Sequence, residues 1–187
     1  MMKKDSVFLT RNFVKSKFMK NPHYSFDNWV VMYAHSLNVE KMAVKISKGT
    51  KCDRQVLSIG SLLHDIGKTY KTDKGTLHKH HEDFNLVVSE NFLGTLGLDK
   101  KSLDKIKKII SYKSKSVEMR IIKDADAIAF YYDKRLNMLF LNWARRNRLG
   151  DAIERKLRKF DKLRFEASRK IGKPWFERMK KDWKINS

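Results

Sequence analysis

The sequence predicts an all-α fold, a helical bundle of about seven helices that carries a C-terminal helical extension. The 187 residues include only two prolines and eight glycines, which leaves little material for turns and favours long helices. Hydrophobic residues make up 41% of the chain and recur at the three- and four-residue spacing of a helix face. Because this length supports one sizeable core, we expect a single domain over residues 1–187, with its core at 28–132 and the extension at 133–187.

The first part of the chain predicts three helices. A weak amphipathic pattern covers residues 6–20, and a stronger one covers about 28–47. In the second pattern His35 shares a face with apolar residues, so its side chain is expected to point towards the core. Asp53 can cap a third helix that is apolar almost all round, and such a helix belongs in the centre of a core.

Three further stripes predict helices that end at Gly94, span about 99–110 and span 118–132. Asp126 falls on the apolar face of the last of these helices, so its carboxylate is expected to point inward. Asp124 lies two positions away and is expected to face elsewhere, as a solvent-exposed carboxylate or as the partner of a lysine.

The C-terminal extension continues the helical periodicity but differs in composition. From Lys134 onward it carries eighteen lysines and arginines against six acidic residues, a net charge of +12, with aromatic residues interleaved. Basic and aromatic residues together can form a stacking and phosphate-binding surface for single-stranded nucleic acid. The favoured interpretation is that the aromatic side chains pack in the core while the charges form the solvated helix faces.

The whole chain is strongly basic, with 42 lysines and arginines against 21 acidic residues and a formal net charge of +21. Such a field attracts polyanions such as nucleic acid or nucleotides, although a solvated lysine-rich surface explains the charge equally well. The N-terminal apolar patch is too short for a signal sequence, and no run is long enough to span a membrane. Cys52 is the single cysteine, which excludes an internal disulfide and fits a reducing compartment. Together these features lead us to expect a cytoplasmic protein without a membrane partner.

The segment most informative about function is Leu-Leu-His-Asp-Ile-Gly-Lys at positions 62–68. It places His64 beside Asp65, and imidazole nitrogen and carboxylate oxygen are ligand types that suit a divalent cation. Lys68 follows His64 by four residues, so on a continuous helix the two side chains share a face. A cation with an ammonium group beside it suits a phosphate. The alternative is that Asp65 caps a turn and His64 is a half-buried structural histidine.

A histidine, then a His-Asp pair, then a distant aspartate, all within apolar helical stripes, resembles the pattern of the HD-domain superfamily of metal-dependent phosphohydrolases. The resemblance covers about residues 28–132 and implies that His35, His64, Asp65 and Asp126 bind a divalent metal ion. Ligands of these types accept Mn, Fe, Co, Ni, Zn or Mg.

The resemblance extends to a further histidine that many members use for a second metal ion or for the scissile phosphate. His81 or His80 is similar to it, the alternative being a surface histidine cluster. Where many two-metal members have another histidine, this sequence reads Ser111-Tyr112, a departure that counts against a complete two-metal site. Asp65 is expected to orient a water molecule, while Lys68 and His81 hold the phosphate.

The function implied is a metal-dependent phosphohydrolase that acts on a nucleotide or another small phosphate ester. One alternative is a nuclease or phosphodiesterase of the same family that acts on a polynucleotide, since the charge of +21 favours nucleic acid as a partner. A second alternative is a nucleic-acid-binding protein whose HD core is structural.

Overall fold

The computed structural model describes residues 5–20 and 29–184, and the all-α class is confirmed because this part of the chain contains helices and no strand. No helix in it is long and apolar enough to cross a membrane. The elements are α1 (Ser6–Lys20), α2 (Trp29–Ile46), α3 (Arg54–Leu63), a 3₁₀ helix (Ile66–Thr69), α4 (Lys74–Gly94), α5 (Lys100–Ile110), α6 (Val117–Tyr132), α7 (Lys134–Arg146), α8 (Gly150–Arg158) and α9 (Glu166–Asp182). Before residue 133 the described part of the chain holds six α-helices and the 3₁₀ helix, and the extension adds three more helices.

Helix α3 lies in the centre of the core, as its apolar sequence predicts. The carboxylate of Asp53 caps it by accepting a hydrogen bond of 3.0 Å from the backbone N–H of Val56, and every residue from position 56 to 63 is buried. At Gly60 an added Cβ would lie 3.0 Å from Ile109 and 3.1 Å from Ile122, so the glycine allows α5 and α6 to approach closely.

The turn after α3 differs from the expected continuous helix. Helix α3 ends at Leu63, Asp65 has φ −121° and ψ 12°, and Lys68 lies in the short 3₁₀ helix that follows. The expectation that Lys68 shares a helix face with His64 is therefore wrong. Its ammonium group instead donates to the carboxylate of Asp65, three residues earlier. The physical reason is that α3 ends before the His-Asp pair. A four-residue spacing therefore no longer determines which way the two side chains point.

A buried asparagine that the sequence patterns did not reveal holds this turn in place. The Asn85 amide donates to the backbone carbonyl of His64 at 2.6 Å and to that of Ile110 at 3.0 Å. Its own carbonyl accepts from the backbone N–H of Gly67 at 2.7 Å. One side chain of α4 therefore ties together the end of α3, the 3₁₀ helix and the end of α5.

The extension packs against the core through its aromatic side chains. Phe160 and Phe176 stack with their ring centroids 4.3 Å apart, and Phe176 lies 5.2 Å from the ring of Tyr131 on α6. Trp183 is fully buried, whereas Trp143 remains 40% exposed. Most of the other rings of the extension are half-buried and pack against the core, so the favoured interpretation is fully met only by Trp183.

Asp124 is buried, and the expectation that it faces solvent or pairs with a lysine is wrong. Its carboxylate accepts hydrogen bonds from the backbone N–H groups of Arg164 at 2.8 Å and Phe165 at 3.1 Å, in the segment just before α9. The Arg164 guanidinium lies 3.4 Å from the same carboxylate. Asp124 is buried because the extension covers it. No local sequence pattern shows this contact.

We expect Asp124→Ala to destabilise the protein by about 2 kcal/mol, because two backbone N–H groups lose their charged acceptor. Asp124→Asn should destabilise it less, since the amide oxygen can still accept both bonds. Urea denaturation of the two variants measures the difference, and equal stability of Asp124→Ala and wild type would contradict the anchoring role.

Candidate metal and phosphate site

Three of the four predicted metal ligands converge. His35 of α2, His64 at the end of α3 and Asp126 of α6 each offer one ligand atom, and these atoms all lie within 4.8 Å of one another. The Asp126 carboxylate oxygen Oδ1 lies 3.2 Å from His35 Nε2 and 3.9 Å from His64 Nε2. Both imidazoles are buried, so the helical periodicity placed His35 and Asp126 on the correct faces.

One hydrogen bond fixes the orientation and the tautomer of the His64 ring. Its Nδ1 lies 2.7 Å from the backbone carbonyl oxygen of Ser61, and a carbonyl only accepts, so Nδ1 carries the proton. In the neutral ring Nε2 then has a free lone pair. Among the described residues this buried Nε2 makes no hydrogen bond. A buried nitrogen with a fixed tautomer and no hydrogen-bond donor fits a metal ligand.

The three side chains also affect one another's charge. Burial lowers the pKa of His35, which favours the neutral imidazole that a metal ion needs. Burial also opposes the charged form of His64, but the nearby carboxylates of Asp65 and Asp126 outweigh it and its pKa is raised. Burial would raise the pKa of Asp126, yet the ammonium group of Lys159 and the imidazole of His35 hold it well below its usual range.

Asp65, the fourth predicted ligand, lies beside this group and outside the set of converging atoms. Its Oδ2 is 3.4 Å from His64 Nε2 and pairs with the ammonium group of Lys68. Burial opposes ionisation, but Lys68 and His64 hold the pKa of Asp65 well below its usual range. The side chain is therefore an ionised carboxylate next to the metal ligands, and its role as a fourth ligand stays a prediction.

Of the histidines at the start of α4, His81 faces the site. Its Nε2 lies 3.7 Å from Asp65 Oδ1, whereas His80 is exposed and lies 3.3 Å from Asp83. The side chain of His78 lies outside the described part of the structure. His81 thus lies beside Asp65 and His80 does not, and the phosphate contact itself stays a prediction.

Tyr112, one of the two residues at which the sequence departs from the two-metal pattern, also lies in the electrostatic field of the site. Burial raises its pKa well above the usual range, and the carboxylates of Asp65, Asp126 and Glu82 add to the shift. The side chain is therefore a neutral phenol rather than a nitrogen ligand.

Two lysines of the extension reach the site, and the sequence analysis missed both. The ammonium group of Lys159 donates to Asp126 Oδ2 at 3.0 Å. The ammonium group of Lys156 lies 4.2 Å from the ring centroid of Phe130, and burial together with the charge of Lys159 lowers its pKa to about 8. The high charge of the extension was the only signal, and it does not single out any lysine.

A model of the HD-domain family matches residues 32–138, more than half of the chain. The chain belongs to the HD-domain family. HD domains generally bind divalent metal ions, and the converging atoms of His35, His64 and Asp126 fit such an ion in spacing and ligand type.

Solved structures show the same fold over nearly the whole chain. A HD-superfamily hydrolase from Bacillus thuringiensis has a TM-score of 0.68 at 18% identity, covering 99% of this chain and 100% of the other. YpgQ of Bacillus subtilis, solved in complex with ADP, has a TM-score of 0.68 at 20% identity and covers 97% of each chain. This coverage includes the extension, so the fold of the extension is shared with these structures.

One curated relative is named as a tRNA-modifying enzyme. A tRNA (cytidine(56)-2'-O)-methyltransferase of Thermoplasma volcanium is 31% identical over 146 residues, which covers 67% of this chain. The match spans only 40% of the length of that relative. The family model shows the family, the solved structures show the fold, and the relative leaves the substrate open.

Proposed function

We propose that this protein is a metal-dependent phosphohydrolase that acts on a nucleotide or another small phosphate ester. His35, His64, Asp65 and Asp126 would hold the divalent ion, which could be Mn, Fe, Co, Ni, Zn or Mg. The observation that carries the proposal is the convergence of two imidazoles and a carboxylate within 4.8 Å around a His64 nitrogen without a hydrogen bond.

The charged side chains of the chain define the proposed chemistry. When bound, the ion polarises a phosphoryl oxygen and acidifies the attacking water. Asp65 is ionised, so its carboxylate can accept a hydrogen bond from that water and orient it. Lys68 and His81 lie on the two sides of Asp65, where their N–H groups can hold phosphate oxygens and offset the charge that develops during attack.

Hydrolysis assays against nucleoside phosphates, cyclic nucleotides and phosphomonoesters, each with several divalent metals, test the function. We expect turnover that requires a metal ion and disappears after chelation. A metal-loaded protein that binds these compounds but hydrolyses none of them would contradict the proposal.

A polynucleotide, RNA in particular, is the second candidate substrate. The T. volcanium relative is named as a tRNA-modifying enzyme, and the extension of this chain carries a net charge of +12. Binding that neutralises many phosphates weakens steeply as salt rises, because counterions are released. Oligonucleotide binding measured across a range of salt concentrations therefore distinguishes this candidate, and cleavage of a labelled RNA would establish it.

We expect Lys68→Ala to retain the metal ion and lose turnover by about 10- to 1000-fold, since its ammonium group carries charge stabilisation but no lone pair for a metal. Lys71→Ala, an exposed lysine in the following loop, is the matched control and should keep wild-type turnover. Metal analysis and steady-state kinetics of both variants show whether Lys68 holds the phosphate. Turnover of Lys68→Ala within about twofold of wild type would show that the phosphate is held elsewhere.

A further inference from the structure

The segment at the end of α8 supplies the site with a lysine, Lys159, from outside the matched HD region, which ends at residue 138. The Lys159 ammonium group, one residue after this helix, donates to Asp126 Oδ2 at 3.0 Å. The other oxygen of the same carboxylate faces His35 at 3.2 Å. Asp126 therefore lies between a predicted metal ligand on one side and a lysine of the extension on the other.

The site is open to solvent on the side where Lys159 lies. The side chains of His35 and His64 are 5% and 3% exposed, whereas Asp126 is 28% and Lys159 is 43% exposed. An anion that approaches Asp126 from this exposed side therefore meets the Lys159 ammonium group.

Lys159 has donors to spare for such a ligand. An ammonium group carries three N–H donors, and within the described residues Lys159 makes one hydrogen bond, the one to Asp126. A lysine side chain with its ordinary pKa is already charged at neutral pH, and the carboxylate of Asp126 lies beside this one. It can therefore keep its bond to Asp126 and still donate to an anion beside it.

The backbone around Lys159 is anchored on both sides. The Tyr131 hydroxyl of α6 donates to the backbone carbonyl of Lys156 at 3.0 Å. After Lys159, the carboxylate of Asp124 accepts from the N–H groups of Arg164 and Phe165. These partly buried contacts fix the end of α8 over α6, which positions the lysine rather than leaving it on a mobile surface.

The balance of charge in the site also favours an anion. The ammonium groups of Lys68, Lys156 and Lys159 balance the carboxylates of Asp65, Asp126 and Glu82, and these groups interact electrostatically. A divalent metal ion adds two further positive charges. A doubly charged phosphate group supplies the compensating charge at the place where Lys159 is exposed.

We propose that Lys159 is a phosphate-binding residue of the active site, contributed by the C-terminal extension. The proposal rests on the proposed function in one respect, since it takes the ligand to be the phosphate group of the substrate. The Lys159 ammonium group would hold a phosphate oxygen while it keeps its bond to Asp126 Oδ2. The other oxygen of Asp126 would remain available to the metal ion.

The test compares Lys159→Met with Lys159→Arg, and with Lys162→Met as a control that removes the same charge from an exposed position three residues away. Inorganic phosphate is titrated calorimetrically into each protein loaded with Mn²⁺, and metal content is measured by elemental analysis. We expect Lys159→Met to keep its metal and bind phosphate on the order of 10- to 100-fold more weakly. Lys159→Arg should retain part of the affinity, and Lys162→Met all of it.

Two results would overturn the inference. Phosphate binding by Lys159→Met equal to wild type would show that the lysine is only an ion-pair partner. Loss of the metal from Lys159→Met would show that it supports Asp126 and does not bind phosphate itself. If wild type hydrolyses no phosphate ester yet its phosphate affinity depends on Lys159, the proposed function fails and the binding site stands.

Discussion

Replacing Gly67 with alanine should destabilise the protein by about 3 kcal/mol or more and disrupt the site. A Cβ at this position would lie 2.0 Å from the carbonyl oxygen of His81 and 2.7 Å from the backbone nitrogen of Asn85. Both atoms belong to the backbone of α4, so the clash cannot be relieved by rotating a side chain. Either α4 or the 3₁₀ helix has to move, and these two elements carry His81 and Lys68.

Urea denaturation measures the effect, with Gly94→Ala as the matched control. Gly94 ends the same helix, and an added Cβ there would have no atom within 4 Å. Alanine at position 94 is therefore expected to be neutral or slightly stabilising. If Gly67→Ala unfolds at the same urea concentration as wild type, α4 can shift without loss, and the close approach is not required for stability.

The helices of the core were predictable because each has its own apolar stripe. Periodicity alone placed His35 on the buried face of α2 and Asp126 on the inward face of α6, and their convergence with His64 follows from those two faces. The apolar sequence around Gly60 likewise predicted a central helix. These are local properties, set by the 3.6-residue repeat and by burial.

The contacts that complete the site join segments far apart in the chain, and no local pattern contains them. Asp126 meets Lys159 33 residues later, and Asp124 meets the backbone of Arg164 40 residues later. The Asn85 side chain bonds the backbone carbonyl of His64, 21 residues earlier. A bond to a backbone carbonyl leaves no signature in the sequence. Lysines are so frequent in the extension that composition could not single out Lys159.

The end of α3 was missed for a different reason. The apolar run continues through Ile66, so its pattern predicts a longer helix. The Asn85 side chain instead donates to the carbonyl of His64 and accepts from the N–H of Gly67. Tertiary hydrogen bonds thus replace helical ones at the His-Asp pair. The consequence for function is that Lys68 bonds Asp65, the residue next to His64.

Asp126→Ala should abolish stable metal binding, with affinity reduced on the order of 100-fold or more, because a charged ligand is removed from a set of three converging side chains. Elemental analysis after chelation and reloading measures the metal content directly. Thermal unfolding provides a second readout, since an ion that binds only the folded state raises the unfolding temperature of wild type. The Asp126→Ala variant should show no such rise at the same metal concentration.

Two aspartate variants serve as controls because they separate ligand loss from general damage. Asp104→Ala removes an exposed carboxylate on α5 and should keep both the metal ion and the stability of wild type. Asp124→Ala removes the buried anchor of the extension and should unfold more easily yet still retain the metal ion, because its carboxylate bonds the backbone at residues 164 and 165 and not the histidines. Wild-type metal content in Asp126→Ala would remove Asp126 from the ligand set, and the metal site would then have to be built from the histidines and Asp65.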